Sequence, residues 1–249
     1  MPTATDDAAA LNAAAGGADK SAYVRQIFSD IAPRYDLLNH VLSLNIDRIW
    51  RRKAIAMLRI HENPAGRYLD LCAGTLDVSA ALSGTAGFTG WIAGADFAEP
   101  MLRAGQAKIA GKRVAAVAAD ALSLPFAPAS MAGAIVAFGI RNVADLDAAL
   151  REVHRLLAPG GRFVILEFST PRSRIINAGY QLYFNRLLPA IGGLISGHGT
   201  AYRYLPRSVA NFPAEEELAR RMSDAGFRKV SWKSLTLGIA AIHVGERST

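Results

Sequence analysis

The chain of 249 residues holds one cysteine, Cys72, so no internal disulfide can form and a reducing compartment is expected. No apolar run reaches the roughly 18 residues a membrane-spanning helix needs. No basic start followed by an apolar stretch marks a secretory leader. His and Cys never pair at metal-site spacing. Acids are outnumbered, 21 Asp and Glu against 28 Lys and Arg, for a formal net charge of +7. That surplus favours an anionic partner. The cations are scattered, aromatics make up only 8% of the chain and no nucleic-acid module is present, which favours an anionic membrane surface over nucleic acid. Ordinary solubilising charge is the plain alternative. Also missing is the G-x-G-x-x-G loop, without which a dinucleotide's pyrophosphate has no seat.

Hydrophobic residues make up 51% of the chain, enough for the core of one α/β domain. Residues 1–19, mostly Ala, Asp, Thr and Gly, read as a disordered tail. Residues 20–249 read as the domain, beginning with a helical cap over 20–60, where Val24, Ile27, Phe28 and Ile31 recur at helical spacing. Strands are expected at 67–72, 88–96, 114–120, 131–139 and 162–169. Helices are expected at 76–83, 99–109 and 145–159, the last closed by Pro159-Gly160-Gly161. Apolar strands alternating with helices predict a mostly parallel sheet covered on both faces. Residues 172–200 break the alternation and read as a helical insertion. A helix at 214–225 and a terminal hairpin follow.

What is present is concentrated in YLDLCAGTLDVSA, residues 68–80. An apolar strand ends in Asp70, a tight turn follows with Gly74 in it, and Asp77 opens a helix. This is the first βα turn of an open α/β sheet, where ligands sit beyond the carboxyl ends of the strands. One glycine bracketed by two carboxylates suits a ligand without phosphate and with positive charge, such as S-adenosylmethionine. Three successive strands end in acids: Asp70, Asp96 and Asp120. Asp96 follows Gly74 at roughly the 20-residue spacing of an acid that grips a ribose diol. Asp120, followed by Ala121, can accept from an adenine amino group, and Thr75 offers a hydroxyl to the amino-acid end. Helix or turn capping is the competing reading of each Asp taken alone. Cys72 lacks a histidine partner and reads as a small buried residue rather than a nucleophile. His154 reads as a surface or interface residue of its helix.

Further motifs carry a resemblance. YDLLN (35–39), DRIWRR (47–52), FGIRNV (138–143), EFSTP (167–171) and AYRYLP (201–206) are similar to signatures of the ubiquinone/menaquinone biosynthesis C-methyltransferases, a family of class I S-adenosylmethionine-dependent methyltransferases. The resemblance spans about residues 23 to 247. It implies a Rossmann-like, mostly parallel seven-stranded sheet with helices on both faces. It also implies methylation of a ring carbon on a polyprenylated quinol. The family's cofactor contacts fall on Thr75, Asp96, Asp120, Ala121 and Ala137. Two positions depart: Leu76 stands where the family usually has Gly, and Ala137, offering only its backbone, where it usually has Ser.

The chemistry then asks for residues that activate the acceptor. A phenolic hydroxyl loses its proton near pH 10. Arg141 is permanently charged and cannot be the base, but it can stabilise a phenolate or orient a water. A structural Arg–carboxylate pair is the competing reading. Tyr35, Asn39, Tyr202 and Arg203 are candidates for holding the quinol head, and His198 for accepting a proton. Segment 172–200, with Arg172, Arg174 and Arg186, is the expected tail entrance and membrane contact. A covering subdomain or a homodimer surface is the alternative. The expected location is the cytoplasm, peripheral at the inner face of the cytoplasmic membrane. A methyltransferase of another lipid or small molecule, and a non-catalytic S-adenosylmethionine-binding member of a quinone-making complex, remain alternatives.

Overall fold

The computed structural model describes residues 20–32, 35, 43, 45–183 and 199–248; within 199–205 only the side chain of Tyr204 is described. The alternation foreseen above resolves into seven strands: β1 Arg67–Leu71, β2 Trp91–Asp96, β3 Val114–Ala118, β4 Met131–Ala137, β5 Leu157–Phe168, β6 Arg228–Leu235 and β7 Ala240–Glu246. They form one sheet in the order β3-β2-β1-β4-β5-β7-β6. β1 pairs in parallel with β2 and β4, while β7 runs antiparallel between β5 and β6. The order reverses beside β1, so β1 and β4 border the crevice where such sheets bind ligands.

The helices are α1 Lys20–Ile31, α2 Ile46–Met57, α3 Asp77–Ser83, α4 Glu99–Ile109, α5 Leu146–Leu156, α6 Arg174–Leu182, α7 Gly199–Ala210 and α8 Glu215–Asp224. Their apolar sides cover both faces of the sheet. Along β4 and β5, Ala134, Val136, Phe163 and Ile165 face one core with α5 and α8. Ile135, Val164 and Leu166 face the other with Trp50, Ala54 and Leu58. Side chains alternate at period 2, so burying both faces requires the continuous apolar runs seen in the sequence.

Several boundaries shift by two or three residues, and the largest difference is at the start of β5. Pro159-Gly160-Gly161 does not close a helix but lies inside β5, which starts at Leu157. Gly160 adopts φ +78, and the β4–β5 register shifts between Met131 and Gly133. Gly160 N donates to the Arg247 carbonyl and Arg247 N to that of Gly161, so the chain stays in the sheet through an irregularity rather than leaving it.

Candidate active site

The β1–α3 turn is bent unusually hard. Cys72, Gly74 and Leu76 all take left-handed backbone angles, φ +53, +52 and +64, and Phe138 after β4 takes +62. Such angles cost a non-glycine residue about 1–2 kcal/mol and persist where surrounding packing demands them. The demand is visible on both sides of the turn. The Cα of Gly105 on α4 approaches so closely that a Cβ there would lie 2.3 Å from the Thr75 carbonyl oxygen. A Cβ on Gly139 would lie 2.4 Å from that of Cys72.

These turns border an open cavity with about 690 Å³ of space, part of it continuous with solvent. Gly74, Asp96, Asp120, Ala121 and Ala137 all line it, as do Tyr35, Phe97, Met101 and Phe138. Asp96 is held firmly. One carboxylate oxygen accepts from Gly74 N at 2.8 Å and the other from Ala98 N at 2.8 Å. Burial still pushes its carboxyl above the ordinary range, opposed by those backbone donors. Asp120 sits exposed at the mouth, accepting from Leu122 N at 2.9 Å. A buried carboxylate with lone pairs to spare, beside apolar and aromatic walls, fits a ligand with a sugar diol and a flat base.

Two expected cofactor residues stand apart from this wall. Asp70 is buried beneath the turn, where one oxygen accepts from Ser79 N at 2.9 Å and Ser79 Oγ at 2.6 Å. Desolvation raises its carboxyl to about 7, against the pull of those bonds and of Arg51. It staples β1 to α3. Thr75 is buried and its hydroxyl accepts from Lys108 Nζ at 3.1 Å, the same ammonium that pairs with Asp77 at 2.6 Å. Leu76 also faces away from the cavity. It is wholly buried against Leu102 and Ile109, and a Cβ on Gly94 would reach within 2.5 Å of its Cδ2.

Arg141 lies in a single 3-10 turn, Ile140–Asn142, after β4. Its Nη1 donates to Glu167 Oε1 and to the Phe138 carbonyl, both at 2.6 Å, and its Nε to Ser208 Oγ at 3.3 Å. Nη2 makes no hydrogen bond among the described residues. Burial raises the Glu167 carboxyl, and the Arg141 charge opposes that rise. The guanidinium also sits 5.4 Å from the Phe168 ring centre. From α1, Lys20 Nζ donates to the Arg141 carbonyl at 3.1 Å; burial and the Arg141 charge both lower the Lys20 ammonium.

Sequence reasoning missed several neighbours. Asn142 lines the cavity, and its buried Oδ1 has no hydrogen-bond partner among the described residues; it sits in the FGIRN motif, where the charge of Arg141 is the more conspicuous signal. Glu167 lies in EFSTP, where nothing local in the sequence marks it as the partner of Arg141. In AYRYLP the described side chain is that of Tyr204, its ring centre 6.0 Å from that of Tyr23 and its buried hydroxyl without a hydrogen-bond partner among the described residues. Burial pushes that hydroxyl up to about 12, and Arg141 opposes the rise. Tyr204 and Ser208 are one helical turn apart, so they share the α7 face that meets Arg141. Asn39 and His198 lie outside the described residues, as do the side chains of Tyr202 and Arg203.

Comparison with known proteins places this geometry. The profile of the ubiE/COQ5 methyltransferase family matches residues 17–247. The chain is 46% identical to the ubiquinone/menaquinone biosynthesis C-methyltransferase UbiE of Geobacter sulfurreducens, over 92% of this chain and 90% of that one. It is 48% identical to the demethylmenaquinone methyltransferase of Thermus thermophilus, over 89% of this chain and 100% of the relative. The fold matches a SAM-dependent methyltransferase structure from Thermotoga maritima at a TM-score of 0.63 and 18% identity, over 90% of this chain and 99% of that one. The chain belongs to the ubiE/COQ5 methyltransferase family and is an S-adenosylmethionine-dependent methyltransferase of quinone biosynthesis.

Proposed function

We propose that this enzyme methylates a ring carbon of a polyprenylated quinol, converting demethylmenaquinol to menaquinol, acting on 2-methoxy-6-polyprenyl-benzoquinol, or both. The observation that carries this reading is Arg141, fixed by Glu167 in the turn whose flanking residues Gly139 and Asn142 line the cavity, with Nη2 making no hydrogen bond among the described residues. The curated relatives' names supply the substrate class.

S-adenosylmethionine, when bound, supplies an electrophilic methyl group. Asp96 holds the ribose diol, Asp120 the adenine amino group and Ala121 the neighbouring backbone contact. Phe97 and Met101 pack on the flat base. Arg141 Nη2 donates to the quinol oxygen, favouring its ionised form. The ionised oxygen pushes charge onto the ortho carbon, which then attacks the methyl. Asn142 Oδ1 accepts from the same hydroxyl or from a water that carries its proton away. Methyl transfer would leave S-adenosylhomocysteine as the neutral thioether, and the ring proton would pass to water to restore aromaticity. Tyr35 borders the quinol head, and Asn39, Tyr202, Arg203 and His198 are kept as candidates for holding it or taking its proton.

The enzyme works at the cytoplasmic face of a membrane, because the prenyl tail resides in the bilayer. Among the described residues no helix is long and apolar enough to cross one. The test is mass spectrometry of the quinone pool in cells without this chain. A quinone lighter by one methylene accumulates, wild type clears it, and Arg141→Ala does not. An unchanged pool overturns the reading.

A further inference from the structure

The turn between β6 and β7 is built at a cost. Thr236, Leu237 and Gly238 follow one another with left-handed angles, φ +46, +59 and +90. Two of the three are not glycine, and Thr is β-branched, so the turn is strained. It is held by Trp50 Nε1, which donates to Thr236 Oγ1 at 2.9 Å, and by Ser169 Oγ, which donates to the Gly238 carbonyl at 2.7 Å. The result is to hold Leu237 out in solvent, 72% exposed. Gly238 abuts Pro171, which leads into α6, where Ile175 is 87% exposed.

Helix α2 lies against this knuckle through Trp50. Its outer side carries Arg48, Ile49, Arg52 and Lys53, all exposed. Its one acid, Asp47, is buried and paired with Arg51 at 3.4 Å. Arg48, Arg52 and Lys53 form no ion pair among the described residues. Protruding aliphatic tips beside unpaired cations match the interfacial zone of an anionic bilayer, where headgroups take the charge and acyl chains the tips. The knuckle is also tied to the active site. Trp50 lies 6.0 Å from Phe138 and 6.3 Å from Phe168, whose rings are 4.7 Å apart, and Phe138 lines the cavity.

We propose that the Leu237 knuckle and the basic side of α2 form the membrane-docking surface, and that the Trp50–Phe138–Phe168 cluster borders the route of the prenyl tail from bilayer to cavity. The tail's route rests on the substrate proposed above; the docking surface does not. Of the expected membrane segment 172–200, Ile175 belongs to this surface, and residues 184–198 lie outside the described residues.

The experiment is co-sedimentation of the full chain with phosphatidylcholine vesicles, with and without about one third phosphatidylglycerol, at low salt. Each variant is also assayed on a short-chain soluble quinol in free buffer and on a long-chain quinol in vesicles. Wild type pellets with the anionic vesicles only. R52E/K53E lowers that partitioning roughly 30-fold or more, given about 1 kcal/mol per surface cation. Leu237→Gly, which suits the left-handed turn, lowers it severalfold without loss of fold. Lys112→Glu, at the far β3 side of the sheet, leaves binding unchanged. The two binding variants keep the soluble-substrate rate and lose the vesicle rate. Wild-type indifference to anionic lipid, or either variant pelleting like wild type, overturns the surface. So does a dimer in solution that Leu237→Gly dissolves, which would assign the patch to a second copy. Failure of wild type on every quinol, with vesicle binding intact, overturns the substrate reading instead.

Discussion

Arg141 Nη1 and Glu167 Oε1 meet at 2.6 Å with side chains only 7% and 2% exposed, joining the loop after β4 to the end of β5. A buried pair of this kind often adds little stability over an apolar replacement, but removing one partner strands a charge. Glu167→Ala is therefore expected to cost about 3–5 kcal/mol of unfolding free energy. The double variant R141M/E167L should recover most of that in chemical denaturation yet stay without methyl transfer. Recovery of activity along with stability would make the pair structural only.

Arg141→Ala and Asp96→Ala should separate chemistry from binding. In the proposed role Asp96 gives the sugar a charge-assisted acceptor worth about 1.5–3 kcal/mol, so its loss should weaken S-adenosylmethionine binding roughly 10- to 100-fold. Arg141→Ala should leave that affinity within about 3-fold while turnover falls by two orders of magnitude or more. Isothermal titration and steady-state rates measure both.

Leu76→Gly sets two effects against each other. Relief of the left-handed angle returns about 1–2 kcal/mol. Emptying a site where Leu is wholly buried against Leu102 and Ile109 costs about 2–5 kcal/mol or more. Burial wins, so the melting temperature should fall. Cofactor affinity should stay unchanged, because the side chain faces the core.

The pH dependence of stability has a definite sign at Asp70. Its carboxyl is raised to about 7 in the fold, above its ordinary 3.8, so the folded state holds the proton more tightly than the unfolded chain. This contribution is complete below about pH 4 and is lost as pH rises through 7. Asp70→Asn keeps an acceptor for Ser79 and should flatten the fall in melting temperature between pH 5 and 8. An unchanged profile would assign that fall to other groups.

The strands were legible because both faces of the sheet are buried and the apolar runs are continuous. The strand-end acids were legible as a set, but their division of labour was not. Asp96 and Asp120 reach the cavity, whereas Asp70 turns inward to Ser79, and nothing in one sequence tells a carboxylate facing a ligand from one stapling a helix. Thr75 was read toward the cofactor, but Lys108 lies a helix away in sequence and claims its hydroxyl. Glu167 and Asn142 matter through contacts across the fold. The terminal hairpin was legible but the turn that exposes Leu237 was not, since Thr236 and Leu237 take left-handed angles that their residue types do not signal.

The most direct measurement is transfer from S-adenosylmethionine carrying a trideuterated methyl group to a demethylated naphthoquinol or benzoquinol, followed by mass spectrometry of the extracted quinone. The account predicts that one intact trideuteromethyl group appears on a ring carbon with the wild-type enzyme and is lost with Arg141→Ala. Label on an oxygen, or none on any quinol while the cofactor still binds, would contradict it.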